Sequence, residues 1–547
     1  MTTDILIIGS GGAGLSAALK AKELGCDVIV AAKTLPTNAN TCMAQGGFNA
    51  SDGDDVQTHI EDTLRSSHGL GSKTMIKTMC ENSKNALDWL IALGVPFSLD
   101  ENSKLETRFM GGSTNKRTYY AQDYTGLKIL QTMYDDCLKN DIEFRTNYYL
   151  LNLIVDEETK EVGGATFWDI KNGKVEAIYA KIVIMATGGY GGVYYGFTTN
   201  GFGSSGDGIA AVVRAGGVAS NLEFIQFHPT ALKKSSILIS EAARGEGGHL
   251  VNSNGKRFID ELAPRDIVSR AIAKEMSESK EVFLDVRHLG FEKLSHLLPQ
   301  EMKLCRIYEG LDMATELIPV KSVAHYTMGG IEVDQKFAAK GLKGLFAVGE
   351  CSNSHIHGAN RLGGNSLLEI ISLGLIAGEN ASGYTPKKDH TDNIQLNKDE
   401  AFIAAVYNNF TNQINFYEKR EFLGKILYHN AGIIRNDTGL KGVLAALRQM
   451  QREFTFMGIS DKSLEYNTNL IDLVEFGNML EVAEMLLVGS LHRNESRGAH
   501  YRSDFPQEND SFKANSHFWK EDGVLCASFL KESDCSTTAS LHKEEIR

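Results

Sequence analysis

Proline is scarce in this chain of 547 residues, with 8 prolines against 54 glycines. That excludes a proline-rich spacer and leaves glycine as the residue that shapes the turns. The eight cysteines, at positions 26, 42, 80, 137, 305, 351, 526 and 535, nowhere form a Cys-x-x-Cys pair. No zinc or iron–sulfur site is suggested, no metal ligands are assigned, and dispersed thiols suit a reducing compartment. No run approaches eighteen apolar residues without charge; Leu367 to Ala377 is interrupted by Glu369 and Ser372. The N-terminus lacks a basic region and leads directly into a strand, so no targeting segment is visible. A cytoplasmic protein without a membrane span of its own is expected. Positive charge is not in excess either: 56 basic against 69 acidic residues give a net charge of −13. This argues against nucleic acid and anionic membrane surfaces as partners. An anionic substrate would have to be held by a few local cations. Internal repeats and low-complexity tracts are absent as well.

What is present is an ordinary globular composition, 42% hydrophobic and 23% charged, in a chain long enough for two to four domains. Asp4 to Ile8 reads as an apolar strand, followed by Gly9-Ser10-Gly11-Gly12-Ala13-Gly14, a helical pattern from Leu15 to Leu24, and a second strand from Asp27 to Ala31. This strand–glycine–helix–strand order is a dinucleotide-binding unit, in which glycines allow a tight turn and close approach to a pyrophosphate. The ribose-binding acid expected after the second strand is missing, and Lys33 stands there. Two later strand–glycine junctions, Lys181 to Tyr190 and Leu345 to Glu350, repeat the grammar. Three such junctions far apart suggest one large cofactor wrapped by a discontinuous domain, and FAD fits that better than NAD.

Helices are expected within Val56 to Leu93 and from Thr125 to Leu138, and a strand meander from Glu143 to Ala180. Residues 222–342 read as an inserted domain. The chain is expected to be helical from Asn397, with apolar helix spacing in Gly442 to Phe456 and Leu470 to Leu491. The fold class is α/β: an FAD-binding Rossmann-like domain (1–221 and 343–397) with an inserted α+β capping domain (222–342), then a helical domain (398–510). Residues 511–547 read as a polar, irregular tail. The loop His357-Gly358-Ala359-Asn360-Arg361-Leu362-Gly363-Gly364-Asn365-Ser366-Leu367 joins a strand to a helix start, where free N–H groups favour an anion. His357 and Arg361 are its only groups that can be positive, and Arg361 can grip a carboxylate with two parallel bonds. It reads as the floor of an active site.

Further blocks are Gln226-Phe227-His228-Pro229-Thr230, Ile239 to Gly248, Leu262 to Asp266, Val323 to Gly330 and Glu495 to His500. With the 357–367 loop, six motifs in order resemble the flavoprotein subunits of fumarate reductase and succinate dehydrogenase, a family that includes L-aspartate oxidase. The resemblance spans residues 4 to about 506. It implies a C4-dicarboxylate substrate, with Arg361 and His325 on one carboxylate and His228 and Ser240 on the other. Arg265 would be the proton donor, re-protonated through Glu241 and Arg244, which are neighbours on one helical face. Guanidinium is a weak acid, yet a carbanion developing beside it is a far stronger base. For FAD the resemblance implies contacts from Gly9, Gly11, Gly12, Ala13 and Gly14; Lys33; Gln45, Gly46 and Gly47; Ala186, Thr187 and Gly188; Asp207 and Glu350; and Arg361, Asn365, Ser366 and Leu367. Taken singly, each site residue has a plainer reading. His228 could be a loop histidine, Arg265 with Asp266 a surface ion pair, Glu241 with Arg244 an ordinary helix pair, and His355 is taken as structural.

Two departures from the family pattern are informative. Where members with covalent flavin carry a histidine, this chain has Asn40, so FAD is expected to be held without a covalent link. Within the family that loss impairs succinate oxidation more than fumarate reduction, which favours the reductive direction. Aspartate oxidases carry a glutamate where Met110 stands, and Met110 offers no charge to a substrate ammonium. The resulting expectation is an FAD-dependent fumarate reductase flavoprotein fed by an iron–sulfur partner subunit, with any membrane association made through partner subunits. The alternative is L-aspartate oxidase.

Overall fold

The computed structural model describes residues 1–278, 281–386, 393–409, 413–530 and 544–545; Cys535 lies outside them. A seven-stranded sheet forms the body. Its centre is Thr2–Ile8, flanked in parallel by Val28–Ala32 and by Lys174–Met185. Lys174–Met185 is long enough to serve two partners on its other edge. Its first half pairs antiparallel with Val162–Asp169, and its last residues pair parallel with Leu345–Ala347. Ile5, Leu6, Ile7, Val30, Val183 and Ile184 are buried, as a parallel sheet covered on both faces requires.

The helix Gly12–Glu23 follows the first strand and buries Leu15, Ala17 and Ala18 on the sheet. Two glycines make this possible. Gly9 has φ +113°, and a Cβ there would lie 2.2 Å from the Ala186 carbonyl oxygen; one on Gly14 would lie 2.0 Å from that of Gly9. The carboxyl ends of three strands, at Ile8, Met185 and Ala347, thereby converge on one crevice, the place where open α/β sheets bind ligands.

Between Asn221 and Gly329 the chain builds a second, four-stranded antiparallel sheet from Ile225–Leu232, Ile318–Thr327, Val282–Asp285 and His249–Asn252. It has its own apolar core, including Leu232, Ile239, Leu250, Val268, Ile272 and Leu284. The helices Phe416–Asn430, Asp437–Glu453 and Thr468–His492 follow. The last is apolar almost all round and is buried among its neighbours. Leu367 to Ala377 is helical but not uniformly so: Asn365–Leu368 passes into a π-turn at Glu369–Leu373 before α geometry resumes.

The tail differs from expectation. Asn515–Glu521 and Val524–Leu530 form an antiparallel hairpin, and its first strand pairs with Ala219–Ser220 inside a six-stranded sheet. Asn515, Ser516 and His517 are buried despite being polar, which is why the alternation of a strand is invisible in the sequence. Among the described residues, no helix is long and apolar enough to cross a membrane.

Candidate active site

An elongated cavity of about 420 Å³ runs along the converging strand ends to the 361–367 loop, within the size range of small-molecule sites. Of the residues assigned to the cofactor, Gly9, Gly11, Gly12 and Ala13 line it, as do Ala186, Thr187 and Gly188. Gln45, Gly46 and Gly47 line it too, together with Lys33, Asp207 and Glu350. From the third junction come Arg361, Ser366 and Leu367.

Two of the assigned residues do not line the cavity. Gly14 packs under Gly9 and leaves the cavity wall to Ala13. Asn365 turns inward, where its amide donates to Thr63 Oγ1 and its oxygen meets Asn49 Nδ2 and His59 Nε2. Its side chain therefore braces the loop. The cavity nevertheless fits a dinucleotide flavin: it is long, its walls are glycine-rich backbone, and Gln45 Oε1 is buried without a protein partner. A buried amide oxygen without a partner is costly unless a ligand meets it.

At one end Lys33 gathers carboxylates. Its Nζ lies 2.7 Å from Asp207 Oδ2 and 2.6 Å from Glu475 Oε1. Burial opposes the charge, but the two carboxylates hold the Lys33 ammonium above its ordinary range. Asp207 is further bound by Tyr149 Oη, Ser205 Oγ and Asn478 Nδ2. Nearby, Asn40 lines the cavity with both amide atoms engaged: Nδ2 donates to Ser204 Oγ at 2.7 Å, and Oδ1 accepts from Gly201 N at 3.0 Å. The loop Gly201–Ser204 lines the cavity and was not singled out from sequence, although its glycine content was the available signal.

The other end is cationic. Arg265, at the start of the helix Arg265–Ser277, sits 2.7 Å (Nε) and 2.6 Å (Nη2) from Glu241 Oε2. Its Nη1 donates to Gln226 Oε1 at 2.9 Å. The same oxygen accepts from Arg361 Nη2 at 3.1 Å, so one amide holds two guanidiniums side by side. Gln226 opens one of the sequence blocks but carries no charge to betray this role. Arg361 lies over the Tyr326 ring, 4.2 Å from its centroid. Burial and the neighbouring Arg265 charge push Arg361 down to about 10. Glu241 stays ionised although burial opposes it, because Arg265 and Arg244 hold it below the usual carboxylate range. Gly111 N also donates to its Oε1.

Arg244 is fully buried behind Glu241, with Nη2 4.0 Å from Glu241 Oε1 and Nη1 on the Glu261 carbonyl. It does not line the cavity, so any part it plays is through Glu241. His228 and His325 do line it, their ring centroids 4.8 Å apart. His228 Nδ1 is tied to Thr230, and His325 Nδ1 to Thr199 Oγ1 at 2.7 Å. That leaves Nε2 of each ring for a ligand. Burial first, and then the neighbouring charged groups, push both histidines well below the usual range, so without a ligand they are neutral rather than cationic. Ser240 Oγ accepts from Ala242 N as the N-cap of Glu241–Gly245, and its hydroxyl proton stays available.

His357 is not part of the cavity floor. It is buried against Glu369, with Nε2 3.0 Å from Glu369 Oε2 and 3.2 Å from Tyr326 Oη. Its charge partner lies on the π-turn, whose widened winding no sequence period announces. His355 pairs with Glu332, as a structural residue would.

Comparison with known proteins covers nearly the whole chain. A family described as FAD binding domain matches residues 4–367, and one described as fumarate reductase flavoprotein C-term matches residues 420–540. The flavoprotein subunit of 8-methylmenaquinol:fumarate reductase from Wolinella succinogenes is 37% identical, covering 93% of this chain and 87% of that protein. The fumarate reductase flavoprotein subunit of Escherichia coli is 35% identical, covering 92% and 88%. Among solved structures, a quinol-fumarate reductase with menaquinol molecules superposes with a TM-score of 0.91 at 33% identity, covering 97% of this chain and 98% of that one.

Proposed function

We propose, because this chain belongs to the flavoprotein family of fumarate reductases and succinate dehydrogenases, that it is the fumarate-reducing flavoprotein subunit of a larger enzyme. The observation that carries this reading is the Arg265–Gln226–Arg361 arrangement beside Glu241. It places two guanidiniums and two neutral imidazoles around one small space, which suits a doubly negative C4 dicarboxylate. At about 4 Å and an effective dielectric of about 20, each charge pair contributes roughly 4 kcal/mol. Arg361 and His325 Nε2 would hold one carboxylate, and His228 Nε2 with the Ser240 hydroxyl the other.

When bound, FAD supplies the hydride to one alkene carbon. The chain supplies the proton to the other: Arg265 gives it up and takes one back through Glu241, whose Oε2 it touches. Glu241 would in turn be recharged from Arg244 behind it, the net proton entering from solvent, so that all three groups return to their ionised states after each turnover. Gly111 and Gly112 shut water out on this side, bonding Glu241 and the Leu262 carbonyl. Desolvation of this kind strengthens the charge interactions.

FAD would be held without a covalent link, since an amide at position 40 has no imidazole nitrogen to bond the ring and both its polar atoms are already engaged. Acid precipitation should leave the flavin in the supernatant; flavin in the pellet refutes this. With no Cys-x-x-Cys pair in the chain, electrons would arrive through an iron–sulfur partner subunit, and membrane association would be through partners. The decisive assay offers the purified holoprotein reduced viologen with fumarate, and in parallel L-aspartate with oxygen. Viologen oxidation that depends on fumarate is expected. Aspartate oxidation without fumarate turnover would assign the chain to the aspartate oxidase branch instead.

A further inference from the structure

The cavity's cationic end draws on two bodies. Gln226, His228, Ser240, Glu241, Arg265 and His325 belong to the segment between Asn221 and Gly329, whereas Arg361 belongs to the flavin body. His228, Ser240, Arg265 and Arg361 are all buried, so how close the two bodies sit decides how these side chains meet around a ligand. The segment joins the body through two crossings, and both are narrow. Asn221 has φ +58°, in the left-handed region, and a Cβ on Gly329 would lie 2.2 Å from the Asn221 carbonyl oxygen. Any swing of the segment must pass through these backbone positions.

The C-terminal hairpin bonds the first crossing directly and stands beside the second. Ala219–Ser220 pairs antiparallel with Gly330–Ile331 on one edge and with His517–Phe518 on the other. Asn221 Nδ2 donates to Asn515 Oδ1 at 2.8 Å, and Ser516 N donates back to Asn221 Oδ1 at 3.1 Å. Ser516 Oγ accepts from Asn221 N at 3.0 Å and donates to Glu223 Oε2 at 2.7 Å. Glu223 stands just past the crossing and is fixed by Arg493 Nε at 2.8 Å. At the return crossing Glu332 accepts from Ser220 Oγ and from His355 Nε2 at 3.0 Å, with His517 Nε2 at 3.6 Å. Three consecutive buried polar residues are unusual in a strand that only needs to cover a sheet edge. Here Asn515 and Ser516 bond Asn221 at the first crossing, and His517 stands 3.6 Å from Glu332 beside the second.

We propose that Asn515, Ser516 and His517 are positioning residues for catalysis: the C-terminal hairpin sets the hinge angle at which Arg265 and His228 meet Arg361. The inference rests on the fumarate-reductase reading for its kinetic consequence, but not for the hinge itself. Ser516 is the key position, since one hydroxyl ties Asn221 on the hinge to Glu223 beyond it. Removing both bonds should loosen the crossings by about tenfold.

The test compares wild type, S516A and the hydroxyl-retaining S516T as FAD-loaded holoproteins. Hydrogen exchange at residues 219–224 and 328–333 is read alongside KM and kcat for fumarate and the melting temperature. Expected is exchange at both crossings about tenfold faster in S516A, a comparable rise in KM with kcat less affected, and S516T close to wild type. Unchanged exchange and KM would overturn the proposal, as would a lower melting temperature with KM unchanged, which marks a purely structural strand. Should S516A not fold, H517Q is read by the same criteria. Absence of fumarate turnover in wild type would refute the functional reading alone, because the exchange rates still decide the hinge.

Discussion

The two ends of the cavity hold opposite balances of charge. Around Lys33 one ammonium meets two carboxylates, Asp207 and Glu475, and every strong donor and acceptor finds a protein partner. Around Arg361 three arginines face Glu241, and Arg361 Nε is buried with no partner at all. The first end is complete as protein, its buried charges paired with one another. The second is left short of negative charge, which is where the proposed dianion would sit.

Breaking the cationic end should have the largest effect. Arg265→Gln is expected to lower fumarate turnover by about a thousandfold while FAD content stays near wild type; retained turnover would remove guanidinium from the proton step. At the opposite end, Lys33→Met leaves Asp207 and Glu475 buried without a cation. It should cost about 3–5 kcal/mol in a denaturant titration, and a neutral outcome would show that the cluster is less enclosed than its burial suggests.

Glu350 lies on the cavity wall, and burial pushes it up to about 7 despite bonds from Thr327. Between about 4.5 and 7 the native protein keeps a proton that the unfolded chain has released. Its contribution to stability is therefore full below that window and is lost as pH rises through it, by about 3 kcal/mol in total. Apoprotein carrying Glu350→Gln should lose this slope and gain on wild type at pH 8 but not at pH 4; parallel curves would mean the carboxyl is ionised throughout. The smallest effect is expected for Glu475→Gln. Its amide oxygen still accepts from Lys33 and Asp207 still supplies the charge, so unfolding should shift by about 1 kcal/mol or less.

The sequence made the body of the fold readable because its signals are local. An apolar run, crowded glycines and a helix period fall within thirty residues at Thr2–Ala32, and the same strand–glycine junction recurs twice. The charged site residues were readable through motifs in order, and the structure brings His228, Ser240, Glu241, Arg265, His325 and Arg361 to one space. What could not be read depends on distant partners. Gln226 acts by lending one oxygen to two arginines, and nothing in its neighbours shows that. His357 looked like a cation for the ligand, yet Glu369, brought alongside by a π-turn, claims it. Asn365 sits in the right loop but finds three partners between residues 49 and 63. The hairpin at 515–530 hid because its buried face is polar, so the alternation that marks a strand is absent.

The strand order of the body has a consequence for how the chain is made. Lys174–Met185 sits between Thr2–Ile8 and Leu345–Ala347, so the crevice has its third wall only after residue 347 has left the ribosome. At about 5–20 residues per second, the nascent chain spends roughly 8–30 s with an apolar strand edge unpaired. Over that interval the edge is open to pairing with another chain.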